Sequence, residues 1–169
     1  MNPFIANGHL RDAALADLPH IVEIYNASIP GRMATADTDP VSVESRLIWF
    51  QEHHPQTRPI WVLERQGRII AWISLSTFYG RPAYQGTAEF SLYIAPECQG
   101  QGIGTQLLQC LIERCPEFGV TTVLGFIFGH NTPSLRLSEK AGFERWGFLP
   151  GVAVLDGKLC DLVIMGRRV

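Results

Sequence analysis

The sequence predicts an α/β (α+β) fold: one domain, with a central sheet of about seven strands flanked by about four helices. Three observations carry this. The length, 169 residues, suits a single domain with a sizeable core. Segments with strand character alternate with segments of helical periodicity, the pattern of a layered fold. No repeat, low-complexity run or linker breaks the chain, so one domain is expected over 1–169.

The elements follow in order. His9 to Ala13 reads as a first strand. A helix is expected from about Ala16, with Leu18, Ile21, Val22 and Tyr25 on its buried face and Pro19 tolerated in its first turn. Ser28 to Pro40 is rich in Gly, Pro, Thr and Asp and reads as a loop. Ser42 can cap a second helix whose apolar side carries Val43, Leu47 and Phe50. Ile60 to Glu64 and Arg68 to Phe78 form a hairpin around Gln66-Gly67. Gly80 and Pro82 make Tyr79 to Tyr84 a loop. Thr87 to Ile94 is a strand ended by Pro96. Helical spacing begins after Gly102, with Ile103, Leu107, Leu108, Leu111, Ile112 and Cys115 in one stripe, and stops at Pro116 and Gly119. Val120 to Phe128 is a strand rich in β-branched and aromatic residues, and Pro133 to Ala141 a helix stopped by Gly142. Phe143 to Met165 gives two strands turning at Asp156-Gly157.

Composition narrows the function. Apolar residues make up 46% of the chain, as in an ordinary globular protein. Net charge is −2 and no basic stripe appears, so nucleic acid is not an expected partner. Met1 to Leu10 lacks the pattern of a signal peptide, and the apolar stretches are too short to span a membrane. Cys98, Cys110, Cys115 and Cys160 form no C-x-x-C pair and no histidine pair has ligand spacing, so no metal is expected. His53 and His54 are expected on a helix, pointing apart. The cysteines read as reduced core residues, in a cytoplasmic protein. The aromatics Trp49, Phe50, Trp72 and Trp146 read as core, as such residues usually are.

The segment from Phe90 to Thr105 is the most informative. A strand runs into a turn with alternate glycines, Gly100, Gly102 and Gly104, and then into an amphipathic helix. The first helical turn has N–H groups without internal partners and carries partial positive charge. Glycines let a phosphate approach the backbone. A pyrophosphate can therefore rest on Gly100, Gln101, Gly102, Ile103, Gly104 and Thr105. The segment is not a P-loop, because no lysine is near, and its third glycine comes one residue early for the dinucleotide fingerprint.

Gln99-x-x-Gly102-x-Gly104 after a strand resembles the acetyl-CoA signature of the GNAT superfamily of N-acetyltransferases. Further segments are similar to a narrower branch, the phosphinothricin and methionine sulfone or sulfoximine acetyltransferases. They are Asp17-Leu18-Pro19, Ile24-Tyr25-Asn26, Asp37-Thr38-Asp39-Pro40, Arg46-Leu47-x-Trp49-Phe50, Arg81-Pro82-Ala83-Tyr84, Asn131-x-x-Ser134-x-Arg136-Leu137 ahead of Gly142-Phe143, and Asp161-Leu162-Val163.

The resemblance implies a GNAT-like fold with a mixed, splayed sheet, and acetyl-CoA as co-substrate. Leu92, Tyr93 and Ile94 would offer backbone groups to the pantetheine arm and thioester, while Asn131 and Ser134 follow the next strand, with Asn131 offering its amide to the arm or capping the helix. Arg136 and Lys140 could reach a phosphate or simply line a solvated helix face. Glu89 would be the general base, raised by desolvation among apolar neighbours. The branch usually has histidine where this chain has Ser138, which would position a water for the leaving thiolate if it takes part at all. Thr35, Arg81 and Tyr84 would border the acceptor, a small amine such as an amino acid or its analogue, and Ala36 replaces a bulkier residue there. The resemblance also implies a homodimer. Acetylation of protein N-termini or lysines, and non-catalytic sensing of acetyl-CoA, are the other readings.

Overall fold

The computed structural model describes residues 4–5 and 7–169. Eight strands form one sheet in the order β1-β2-β3-β4-β5-β6-β8-β7. They are β1 (Phe4–Ile5), β2 (Gly8–Asp12), β3 (Ile60–Arg65), β4 (Arg68–Thr77), β5 (Thr87–Ile94), β6 (Thr122–Phe128), β7 (Glu144–Leu155) and β8 (Lys158–Arg168). The helices are α1 (Leu18–Ser28), α2 (Leu47–Gln51), α3 (Ile103–Arg114) and α4 (Thr132–Lys140). The expected strands and helices are present in the expected order. β1, only two residues long, was not expected.

The turn chemistry explains the hairpins. Gln66 and Gly67 both have positive φ, as do Asp156 and Gly157, the pairing that two-residue hairpin loops need. All pairings are antiparallel except β5 with β6. That single parallel contact needs a crossover, and α3 supplies it.

Helix α1 covers one face of β4 with Leu18, Ile21, Val22 and Ile24. Trp72 of β4, buried, donates its indole N–H to the Ile21 carbonyl at 3.1 Å. Helix α3 covers the opposite face with Ile103, Leu107, Leu108 and Leu111, all essentially inaccessible. Burying each such side chain contributes about 1.5–3 kcal/mol. Cys98, Cys110 and Cys115 are buried, and none of the four cysteines is in a disulfide among the described residues.

Two expectations fail. α2 ends at Gln51, so His53 and His54 lie beyond it rather than on a helix; Pro55 two residues later disfavours the helical state for its predecessor. Trp146 is 44% exposed instead of buried, because it sits on the outermost strand of the sheet.

Candidate active site

The parallel contact between β5 and β6 lasts three rungs: Thr87 with Thr122, Ala88 with Val123, and Glu89 with Leu124. Beyond Glu89 the strands part. β5 stays with β4 as far as Ile94, and β6 stays with β8 as far as Phe128. The edge of β5 from Phe90 to Ile94 that faces β6 thus has no strand partner. Such an edge presents free N–H and C=O groups. A cavity of about 530 Å³ lies in the split. At its base the Phe90 ring sits over Gly125, where an added Cβ would come within 2.4 Å of the ring. A strand glycine here is therefore a close-approach position.

The glycine-rich turn lies beyond the open end of β5. Gly100 and Gly102 are left-handed, with φ of 73° and 76°, a conformation that suits glycine. Gly102 is the N-cap of α3 and no side chain caps the helix. The N–H groups of Ile103, Gly104 and Thr105 are thus left to an outside acceptor. Gly104 packs against Leu92, Ile94 and Leu137. Arg65 ties the turn down, donating to Gln101 Oε1 and Cys98 Sγ, each at 3.2 Å. Gln99 donates to the Ile94 carbonyl at 3.2 Å.

Glu89, Ser91 and Tyr93 share one face of β5, because side chains alternate along a strand. Glu89 lines the cavity. Burial alone pushes its carboxyl above the ordinary range, and among the described residues no cation or donor offsets it. Across the cavity, Asn131, Ser134 and Ser138 project from α4 and its N-cap, as their spacing predicts. Ser138 is fully buried and its hydroxyl has no hydrogen-bond partner among the described residues. Asn131 accepts from Ser134 N–H at 3.2 Å, capping α4, and donates to the Met33 carbonyl at 2.9 Å. One of its amide hydrogens remains uncommitted.

The loop after α1 closes the same cavity. Tyr93 donates its hydroxyl to the Ala34 carbonyl at 3.1 Å, and His130 bonds the Arg32 carbonyl at 2.7 Å. Arg32 pairs with Asp156 in the β7–β8 turn at 2.9 Å. Thr35 lines the cavity, buried, but its hydroxyl is committed to Tyr25 and to the Asp37 N–H. Ala36 lines it too. Arg81 is exposed and Tyr84 packs edge-on against Tyr79; both lie outside the lining, while Tyr79 is in it. Arg136 faces a separate groove with Glu139 and Arg145 on the far side of α4, and Lys140 is exposed.

Sequence reasoning missed three contributors. Gly125 had a signal, a lone glycine inside a β-branched and aromatic strand. Tyr79 and the Arg32–Ala34 stretch had none, since they reach the site by tertiary contacts. Among the described residues no group of His, Cys, Asp or Glu is arranged to hold a metal ion, and no helix is long and apolar enough to cross a membrane.

The model of the acetyltransferase (GNAT) family matches residues 19–143. The chain is 51% identical to YwnH of Bacillus subtilis over 161 residues, covering 95% of this chain and 98% of that protein. It is 34% identical over 157 residues to the L-methionine sulfoximine/L-methionine sulfone acetyltransferase of Pseudomonas aeruginosa, covering 92% and 91%. The solved structure of a phosphinothricin acetyltransferase from Sinorhizobium meliloti in complex with acetyl-CoA is similar with a TM-score of 0.89 at 32% identity, covering 96% of this chain and 88% of that one. The split sheet, the uncapped glycine turn and these matches agree: the chain belongs to the GNAT family of acetyltransferases, enzymes that use acetyl-CoA as co-substrate.

Proposed function

We propose that this enzyme acetylates the primary amine of a small molecule, an amino acid or analogue of the phosphinothricin or methionine sulfone type. The single observation that carries this is the position of Glu89. An unpaired carboxylate stands at the apex of the split, beside the edge of β5 that the split leaves free to receive a pantetheine arm. A cavity of about 530 Å³, bordered by the loop at Met33–Ala36, is of a size for a small acceptor.

The residues divide the work. Gly100 to Thr105 hold the pyrophosphate through backbone N–H groups. Leu92, Tyr93 and Ile94 hold the arm along the free edge, with the uncommitted amide hydrogen of Asn131 opposite. An alkyl amine is mostly protonated at neutral pH, with an ordinary pKa near ~10.4. Glu89 accepts that proton, directly or through one water. The nitrogen then attacks the thioester carbonyl, and an N–H from the Leu92–Ile94 edge meets the oxyanion. The C–S bond breaks as the nitrogen sheds its second proton, which a water held by the unpartnered Ser138 hydroxyl relays to the leaving thiolate. Thr35 and Ala36 bound the acceptor end. Arg81 and Tyr84 contribute only if their loop folds inward over Tyr79.

The enzyme acts in the cytoplasm as a homodimer on this reading. Phe148, Val154 and Leu159 share an exposed apolar face of the β7–β8 hairpin, Trp146 and Val152 are exposed on the same hairpin, and β7 is an uncovered edge strand of twelve residues. Monomers rarely leave such a face bare. Val152 and Ala153 also line the cavity, which puts the acceptor site next to that face.

The test is thiol release from acetyl-CoA against free amino acids, including phosphinothricin, methionine sulfone and methionine sulfoximine, with peptides alongside. Turnover on the free amino acids supports the reading. Turnover on peptides alone rejects the small acceptor, and binding of acetyl-CoA without turnover on any amine points to a sensor.

A further inference from the structure

A second cleft of about 470 Å³ lies on the other side of β4, bounded by Trp49, His53, Arg58, Ser76 and Tyr79. Tyr79 borders both this cleft and the cavity of Glu89. The strand between them carries Ser76, whose register partner on β5 is Glu89 itself. Directly opposite residues project from the same face, with Cβ atoms about 4.5–5.5 Å apart. No direct hydrogen bond joins the two side chains, and the Ser76 hydroxyl is placed to meet the Glu89 carboxyl through one water.

His53 fixes what that hydroxyl offers. Its Nδ1 lies 2.7 Å from the Trp49 carbonyl and its Nε2 lies 3.2 Å from Ser76 Oγ. A carbonyl can only accept, so Nδ1 carries the hydrogen. In the neutral ring Nε2 then has a lone pair, and Ser76 must donate to it. The hydroxyl hydrogen is spent on His53, and the lone pairs of Ser76 are left for Glu89.

We propose that His53 is a positioning residue for the base: through Ser76 it presents Glu89 with an acceptor instead of a donor, and protonation of His53 reverses that polarity. An acceptor disfavours the carboxylate and receives a hydrogen bond from the carboxylic acid that forms when Glu89 takes the amine's proton. Both effects keep Glu89 eager for a proton. In the imidazolium, Nε2–H donates to Ser76, whose own O–H turns to the carboxylate and weakens it as a base. No bond is made or broken beyond this reorientation.

The surrounding groups fit. Glu52, next in the chain, favours the imidazolium, but burial outweighs it and lowers the His53 pKa. Arg58 faces His53 across the cleft, and Thr77 and Tyr79 complete that wall. On the Glu89 side, Tyr79 and Tyr93 are the other titratable groups lining the cavity among the described residues.

The inference rests on Glu89 as the base, and its test separates the two ideas. The Glu89 carboxyl is titrated by carbon-13 NMR in the full-length protein, its signal assigned by loss in Glu89→Gln. His53→Phe and Ser76→Ala should each lower the midpoint by about half a pH unit or more. In the Ser76→Ala background, His53→Phe should add nothing, because the relay is already cut. If His53→Phe does not fold, Ser76→Ala, which loses one oxygen atom, decides alone. An unmoved midpoint in Ser76→Ala, or the same His53→Phe shift with and without Ser76, overturns the coupling. Full turnover by Glu89→Gln would remove the base and leave the coupling standing.

Discussion

The two arms of the sheet on either side of the split are built differently. The N-terminal arm, β2 to β5, is sandwiched. Val62, Leu63, Ala71 and Ile73 are inaccessible, with α1 on one face and α3 on the other. The C-terminal arm ends in β7, where most residues are exposed on both faces, apolar ones included. The first arm is a rigid wall that fixes Glu89 and the cofactor edge. The second is finished only when something covers it. On the proposed reading the chemistry sits on the well-packed arm, and the neighbouring arm offers the surface for a partner.

The largest expected effect falls on the packed arm. Glu89→Gln should lower kcat by about 10²- to 10⁴-fold while acetyl-CoA affinity, measured by calorimetry, stays unchanged. Loss of affinity instead would mean that Glu89 shapes the cofactor edge.

Next comes the wall itself. Trp72→Ala removes an indole that stacks on Tyr93 with centroids 4.7 Å apart and bonds α1. Denaturant unfolding should show a loss of about 3–5 kcal/mol. A loss below ~1 kcal/mol would say that the two arms are equally tolerant.

On the open arm, Val154→Asp with Leu159→Asp should leave the monomer's stability within about ±0.5 kcal/mol and convert dimer to monomer in light scattering. A wild-type protein already monomeric at working concentrations would refute the covering copy.

The smallest effect concerns pH. Burial raises the folded pKa of Glu89, so the charged form opposes folding. Its favourable contribution is complete below the unfolded carboxylate pKa and is lost as pH rises through the folded value. Glu89→Gln should therefore raise Tm by a degree or so at neutral pH, about the scale of a few tenths of a kcal/mol, and by nothing at acidic pH. The acid limb of kcat/KM should likewise lie above the ordinary carboxylate range.

Legibility follows the same division. β5 and the start of α3 were readable to the residue, because a strand followed by Pro96 and a helix that starts after Gly102 carry local signals. The face shared by Asn131, Ser134 and Ser138 followed from helical spacing. Glu89's isolation followed from its apolar neighbours. What the sequence hid was long-range. The bond from Asn131 to the Met33 carbonyl spans 98 residues, and no local pattern encodes it. Arg81 and Tyr84 were placed at the acceptor by resemblance, whereas the geometry brings Tyr79 there. The exposure of Trp146 was hidden too, since composition cannot tell an edge strand from a central one.

The last shared rung of β5 and β6 is Glu89 with Leu124. That rung acts as a fulcrum. When the two strands breathe to admit or release a long ligand, displacement grows with distance from it. At Ile94, five residues away and roughly 16 Å along an extended strand, the gap between the two arms changes most. Glu89, at the pivot, takes almost none. The mouth can gape for loading while, on the proposed reading, Glu89 keeps its place beside the amine.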